Sequence, residues 1–321
     1  MAVIIPLTEI RRALEGIDVL QAMEQGFVAY SAGRVVVPPV GELLFDDPAG
    51  DVHIKYGYIP GDEYFVIKVA SGFYDNPRRG LPANSGLMLV FSQKTGELAA
   101  ILLDEGHLTN VRTAAAGAVV AKHLAARPVS RIGILGAGVQ ARMQLEFLKP
   151  VTDCRDVLVW GRRADAVATY RTDMEAHGFR VEIAAAPGHV ARACDLVVTA
   201  TASHAPLLTA ADLHPGLHVT AMGSDTADKN ELAPDVLGRA DLVVADSLAQ
   251  CIERGEIHHA VRAGVLESQT VVELGRVLAD PTRGRSSGHQ ITVADLTGVA
   301  VQDIQIATAV YRRVRGGVDA D

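Results

Sequence analysis

The run Arg131-Ile-Gly-Ile-Leu-Gly-Ala-Gly-Val-Gln-Ala-Arg142 limits the possible folds of this chain more than any other stretch. A short apolar segment leads into Gly136-x-Gly138-x-x-Ala141, and Arg142 to Lys149 is compatible with a helix. The pattern predicts a buried parallel strand over Arg131–Leu135, a tight turn, and a helix whose N-terminus faces a pyrophosphate. Gly136 permits the turn, Gly138 lets the backbone approach a phosphate, and Ala141 is small enough for the helix to pack on the strand. Glycine turns also join strands to helices in proteins that bind nothing. The strand before this one and the helix after it are the context that selects dinucleotide binding.

The 321 residues suffice for two domains with sizeable cores, and 49% hydrophobic with 21% charged residues is a globular composition. A formal charge of −8 gives no electrostatic case for nucleic acid or an anionic membrane. Cys154, Cys194 and Cys251 are widely spaced, which fits a reducing compartment and argues against a disulfide framework or a structural zinc site. The histidines, His258-His259 included, read as surface or capping residues, and no metal site is expected. The N-terminus lacks a basic region and a long apolar core, and no apolar run is long enough to span a bilayer. A cytoplasmic location is the expectation.

The first part of the chain does not read as repeated βα units. One helix is expected at Thr8–Ser31 with Thr8 as N-cap, followed by strands at Val52–Tyr58, Tyr64–Ala70, Gly86–Ser92 and Leu98–Leu103. This is an α+β segment with an antiparallel or mixed sheet. An alanine-rich helix at Asn110–Ala126 stops before Pro128. Strands at Arg131–Leu135, Asp156–Trp160, Leu196–Thr199, His218–Met222, Leu242–Ala245 and Gln290–Asp295 then alternate with helical stretches. That alternation predicts an α/β, Rossmann-type doubly wound parallel sheet over 128–302. Val301–Arg313 reads as a final amphipathic helix and Val314–Asp321 as a loose tail. The α+β domain is expected at 1–127, with 303–321 returning to it, and a ligand cleft between the two domains is the expected place for chemistry.

Three charged residues stand out. Lys68 sits in the apolar strand Val66-Ile-Lys-Val-Ala70, where an ammonium needs an anion or an edge position facing water. Arg112, among the small residues of Val111-Arg-Thr-Ala-Ala115, suits either a bidentate clamp on a substrate carboxylate or a structural salt bridge. Asp225 follows the strand expected at His218–Met222, where ligands bind in such folds, and fits a general acid–base, or else an N-cap or Asx-turn residue. Asp228 and Glu231 read as helix N-terminal residues.

Cofactor choice turns on the end of the second nucleotide-fold strand, which reads Val159-Trp-Gly-Arg162-Arg163 with no acid to bind a ribose 2′-hydroxyl. Paired arginines suit a 2′-phosphate, so NADP(H) is preferred and NAD(H) is possible. The other reading makes Arg162 and Arg163 solvated loop residues, or residues stacked on adenine.

Taken together, these residues resemble the ornithine cyclodeaminase/mu-crystallin family. The resemblance runs from Lys68 with Ser71-Gly72-x-x-x-Asn76, through Gly86-x-x-x-x-Phe91 with Thr95-Gly96 and Leu108-Thr109-x-x-Arg112-Thr113-Ala114-Ala115. It continues with Gly136-Ala-Gly-Val-Gln140-Ala141, Thr199-Ala-Thr201, Gly223-Ser-Asp225 with Lys229-x-Glu231-Leu232, and Thr297-Gly298-x-Ala300-x-x-Asp303. It implies a homodimer built through the N-terminal domain, a Rossmann domain inserted before a returning helix, and hydride transfer between a nicotinamide and the α-carbon of an amino or imino acid. In this reading Lys68 and Arg112 hold the α-carboxylate and Asp225 acts as acid–base. Gly136, Gly138, Val139 and Gln140 cradle the pyrophosphate, and Thr201 and Gly298 lie along the cofactor.

Two departures bear on the substrate. Val37-Pro-Pro-Val-Gly41 lacks the arginine of the cyclodeaminase pattern, and an ungapped count puts Lys55 where ornithine cyclodeaminases carry a glutamate. A basic residue there binds a δ-ammonium poorly. It favours a substrate with an extra anionic group, or else Lys55 replaces the missing arginine, and His53 and Glu42 are the other polar candidates beside it. The first reading is therefore an NAD(P)H-dependent imine reductase or amino-acid dehydrogenase acting on a small imino or amino acid. The second is a cyclodeaminase that releases ammonia with no net cofactor oxidation. The third is a non-enzymatic protein that sequesters NADPH or a small ligand.

Overall fold

The computed structural model describes residues 2–73 and 75–318. It separates into two compact units, Met1–Arg112 with Val299–Asp321, and Thr113–Gly298. The expected boundary lay at Pro128, whereas the division by contacts falls inside the alanine-rich helix.

The first unit holds β1 (Val3–Pro6), α1 (Leu7–Leu14), α2 (Val19–Ser31), β2 (Gly41–Asp46), β3 (Ala49–Tyr58), β4 (Tyr64–Phe73), β5 (Asn84–Ser92), β6 (Leu98–Leu103) and the start of α3 (His107–Leu124). Its sheet has the order β1-β6-β5-β4-β3-β2, antiparallel except for the parallel β1–β6 pair. Alternation along β4 buries Tyr64, Val66 and Lys68 on one face and leaves Phe65, Ile67 and Val69 on the other. The first face packs against α1 and the C-terminal helix of this unit, Ala300–Val318. Lys68 is level with Lys55 on β3 and Met88 on β5.

The second unit contains β7 (Ile132–Leu135), α4 (Val139–Leu148), β8 (Asp156–Trp160), α5 (Ala164–Ala176), β9 (Arg180–Ile183), α6 (Pro187–Ala193), β10 (Leu196–Thr199), β11 (His218–Ala221), α7 (Pro234–Arg239), β12 (Leu242–Ala245), α8 (Leu248–Glu253), α9 (Glu256–Arg262), β13 (Val272–Glu273), α10 (Leu274–Ala279) and β14 (Thr292–Asp295); α11 (Ala300–Val318) follows in the first unit. All of its strand pairs are parallel, in the order β13-β12-β14-β11-β10-β7-β8-β9. Leu135, Leu158, Val197, Val219 and Val293 from five strands are buried in one core, each fully buried aliphatic being worth about 1.5–3 kcal/mol. The chain reverses its direction of travel across the sheet between β7 and β10. In a doubly wound sheet the ligand crevice opens at the carboxyl ends of such a strand pair.

Several expectations need correction. The helix expected at Thr8–Ser31 is two helices. Its first part starts at Leu7 after Pro6, so Thr8 is not an N-cap. Asp18 begins the second, accepting a hydrogen bond from the Gln21 amide at 2.9 Å. Strands β1, β2, β9 and β13 were not anticipated. Of the expected tail, Val314–Val318 continues α11 and 319–321 lie outside the described residues. His218 is a core residue, not a surface one. Its ring nitrogens meet Thr292 Oγ1 and Thr220 Oγ1, and burial with the nearby Arg285 charge pushes its pKa down to about 3. Among the described residues no helix is long and apolar enough to cross a membrane, and no group of three His, Cys, Asp or Glu is placed to hold a metal ion.

Candidate functional site

In the second unit one cleft lies at the strand reversal, lined by Gly136, Ala137 and Gly138 after β7, Trp160 to Arg163 after β8, and Ala200 to Ser203 after β10. Gly136 has φ +124, and a Cβ there would lie 2.6 Å from the Ala200 carbonyl oxygen. The turn therefore requires glycine. Gly138 is the N-cap of α4 with no side-chain cap and open space where a Cβ would project. Val139 and Gln140 open the helix, so their amides are among the uncapped donors of its first turn. This is a cradle shaped for a pyrophosphate, and the residues fit a dinucleotide. Arg142 braces it from behind. Its guanidinium donates to the carbonyls of Ala137 and Gly138 and to Asp173, and it lies over the Tyr170 ring.

The two arginines past β8 are not equivalent. Arg163 is bound to Asp165 through Nε and Nη2 at 3.2 and 2.5 Å. Arg162 is exposed at the cleft, and no acidic side chain pairs with it among the described residues. Thr201 lines the same cleft. Gly298 does not; it is buried past β14, donating its amide to Asp246 Oδ2 at 2.6 Å.

Asp225 lies on the loop after β11, half-buried, with Oδ1 2.7 Å from Lys229 Nζ. No helix starts there, so neither Asp225 nor Asp228 caps one. Glu231 is the clearest misreading. It is fully buried, and its carboxylate accepts from Thr199 Oγ1, the Thr201 amide and hydroxyl, and the Gly223 amide at 2.6–2.9 Å. One side chain thus clasps the ends of β10 and β11. Gly223 is glycine because a Cβ would lie 2.1 Å from the Thr201 carbonyl oxygen and 2.6 Å from this carboxylate. Glu256 holds the same segment from the other side, accepting from Asn230 Nδ2 and the amides of Glu231 and Leu232 at 2.7–3.0 Å. Nothing in the local spacing announced either clasp.

In the first unit Lys68 and Arg112 come together around a carboxylate that sequence reading left without a role. Asp303, on α11, has Oδ2 3.3 Å from Lys68 Nζ and Oδ1 3.1 Å from Arg112 Nε, with all three side chains buried. Lys68 is on an inner strand, so it is not an edge lysine facing water. Arg112 does make a salt bridge, as one of its readings expected. Neither contact is aligned as a hydrogen bond, leaving Arg112 Nε a buried donor without an acceptor. Arg112 Nη1 donates to Gln302 Oε1 at 3.2 Å. Asp104 is the N-terminal anchor of α3, accepting from the Leu108 amide at 2.8 Å. Burial, opposed by its backbone hydrogen bonds and reinforced by Asp303, raises its pKa. Lys55 is buried directly across from Lys68, with His53 on the same face and Glu42 within 3.7 Å of the His53 ring.

The ornithine cyclodeaminase/mu-crystallin family model matches residues 3–318. The chain belongs to that family. Among its relatives is an uncharacterized cyclodeaminase of Sinorhizobium fredii, 44% identical over 302 residues, 92% of this chain and 91% of that one. Among solved structures, an archaeal alanine dehydrogenase dimer with bound NAD superposes with a TM-score of 0.89 at 32% identity, covering 98% of this chain and 97% of the other. The iminosuccinate reductase of Paracoccus denitrificans in complex with NAD+ gives 0.85 at 27%, covering 98% and 96%. The family match therefore embraces both units, including Lys68, Arg112, the glycine turn and Asp225.

The Glu256 clasp makes stability depend on pH. Burial first, and then the Glu231 charge, push its pKa from 4.5 up to about 8, against the lowering pull of the amides it accepts from. Between those values the folded chain keeps a proton that the unfolded chain has lost, so stability falls as pH rises through this window and levels above about 8. Glu256→Gln carries no proton to lose. Its Tm should decline less than the wild type's between about pH 5 and pH 8, and parallel declines in a thermal melt series would remove Glu256 as the source.

Proposed function

We propose that this family member is a nicotinamide-dependent imine reductase or amino-acid dehydrogenase acting on a small carboxylate-bearing substrate. The carrying observation is the pair of buried cations, Lys68 and Arg112, gathered on one carboxylate, Asp303, in a chain that also has a dinucleotide cleft. A buried cation is costly unless anions surround it, and a substrate carboxylate would add one. A carboxylate is the ligand whose geometry suits it. A nicotinamide held in the cleft would supply or take the hydride. Lys68 and Arg112 hold the α-carboxylate, and Asp225 gives or takes the proton at the substrate nitrogen. Lys55, a third buried cation opposite Lys68, disfavours the distal ammonium of a diamino acid. That favours reduction over cyclodeamination, although a relative carries the cyclodeaminase name. Purified protein given cyclic imines, or 2-oxo acids with ammonia or methylamine, should oxidise one reduced nicotinamide per turnover. Ammonia release from ornithine without any change in nicotinamide absorbance would establish the cyclodeaminase instead. Asp225→Asn should bind cofactor normally and lose on the order of a hundredfold or more in kcat.

We infer a preference for NADPH from Arg162. Arg163 is engaged by Asp165, so Arg162 is the guanidinium available to a 2′-phosphate, and no carboxylate at the end of β8 takes the ribose hydroxyls. The structures compared above contain NAD, so the two cofactors must be measured side by side. Arg162→Ala should weaken NADPH binding about tenfold or more and NADH binding little. Equal losses would end the argument.

We also infer a homodimer. The face of the first sheet opposite α11 carries Ile4, Ile101, Leu89, Ile67 and Tyr56 in one row, with Phe65 stacked on Phe91 at 4.8 Å beside it. Ile4 is 63% and Leu103 42% exposed on this face, and a contiguous apolar sheet surface of this kind marks an association site. The archaeal relative is a dimer. Sedimentation should give twice the 34.0 kDa chain mass, and Ile67→Asp should shift it toward the monomer.

A further inference from the structure

We propose that Asp303 is the positioning residue of the carboxylate-binding pair: it keeps Lys68 charged and sets Lys68 and Arg112 for the substrate. The proposal rests on the reading that these two cations bind the substrate carboxylate. Asp303 is one turn-start residue on α11, 1% exposed, with one oxygen toward each cation. Gln302 beside it receives Arg112 Nη1 and returns its own Nε2 to the Arg112 carbonyl at 3.4 Å. Two consecutive residues of one helix therefore fix where the guanidinium lies. Neither contact uses Arg112 Nη2, and the Nε contact is one of charge without hydrogen-bond alignment. Asp303 thus restrains both cations while Arg112 Nη2 takes no part in either contact.

The second task is electrostatic. The charged groups around Lys68 are Asp303 on α11, Arg112 on α3 and Lys55 directly across on β3, with His53 further along β3; Asp104, just before α3, feels the Asp303 charge. Burial and two neighbouring cations all favour a neutral Lys68, and the adjacent carboxylate opposes them. With Asp303 neutralised, Lys68 releases its proton at lower pH, and a neutral amine is a poor ligand for a carboxylate.

The test compares wild type, Asp303→Asn and the double variant Asp303→Asn with Lys68→Arg. The chain has six lysines, so the carbon-13 side-chain resonances of lysine-labelled protein can be followed one by one through a pH titration. The Lys68 resonance should titrate at lower pH in Asp303→Asn than in wild type. In the same variant KM for the carboxylate substrate should rise about tenfold or more, with kcat affected less, and should climb further with pH. Lys68→Arg in that background should flatten the climb, because a guanidinium stays charged. An unmoved Lys68 titration, or a loss carried by kcat with a KM profile parallel to wild type, overturns the proposal. A shifted Lys68 titration with unchanged KM instead sinks the carboxylate reading and leaves the Asp303–Lys68 linkage standing. If Asp303→Asn does not accumulate as folded protein, Asp303→Glu carries the test. It keeps the charge but displaces both cations, so KM should rise about tenfold without pH dependence, and an unchanged KM overturns the proposal.

Discussion

Three charged side chains meet out of water in the first unit, and its layers depend on their balance. Lys68 comes from the middle of the sheet, Arg112 from α3 and Asp303 from α11. Removing one partner from such a cluster costs about 3–5 kcal/mol, because an uncompensated buried charge remains. Replacing the cluster with apolar side chains would satisfy packing equally well. Charge at this depth is therefore not explained by stability alone.

Across the second unit the same problem is solved with carboxylates and backbone amides. Glu231, on the loop after β11, and Glu256, at the start of α9, each take up several amide or hydroxyl donors of the loops. The loop carrying Asp225 is bounded by these clasps. Its half-exposed carboxylate therefore rides on a segment whose flanks are hydrogen-bonded in the interior, which limits where it can lie.

How far the sequence could be read follows from how local each cause is. The glycine turn, the apolar strands β7, β8, β10 and β12, and the alanine-rich helix were legible because strand burial and turn geometry act within a few residues. Arg180-Val-Glu-Ile was missed as β9 because an edge strand need not be apolar. The break between α1 and α2 was missed because apolar spacing runs on through Gly16 and Ile17. Lys68 and Arg112 were singled out as charges in apolar surroundings, but their shared partner was not, since some 190 residues separate the neighbouring Gln302 from Arg112. Glu231 looked like a helix-start acid only because spacing says nothing of burial.

The chain path has a temporal consequence. A ribosome delivers β1 to β6 and the start of α3 first, then all of the second unit, and only then α11. Until α11 emerges, the middle of the sheet face that carries Lys68 lacks its helix and two cations lack the Asp303 carboxylate. The contiguous second unit has no such wait, because its residues follow one another without interruption. The domain begun first is thus completed last, and the second unit can be whole while the first still lacks its final helix.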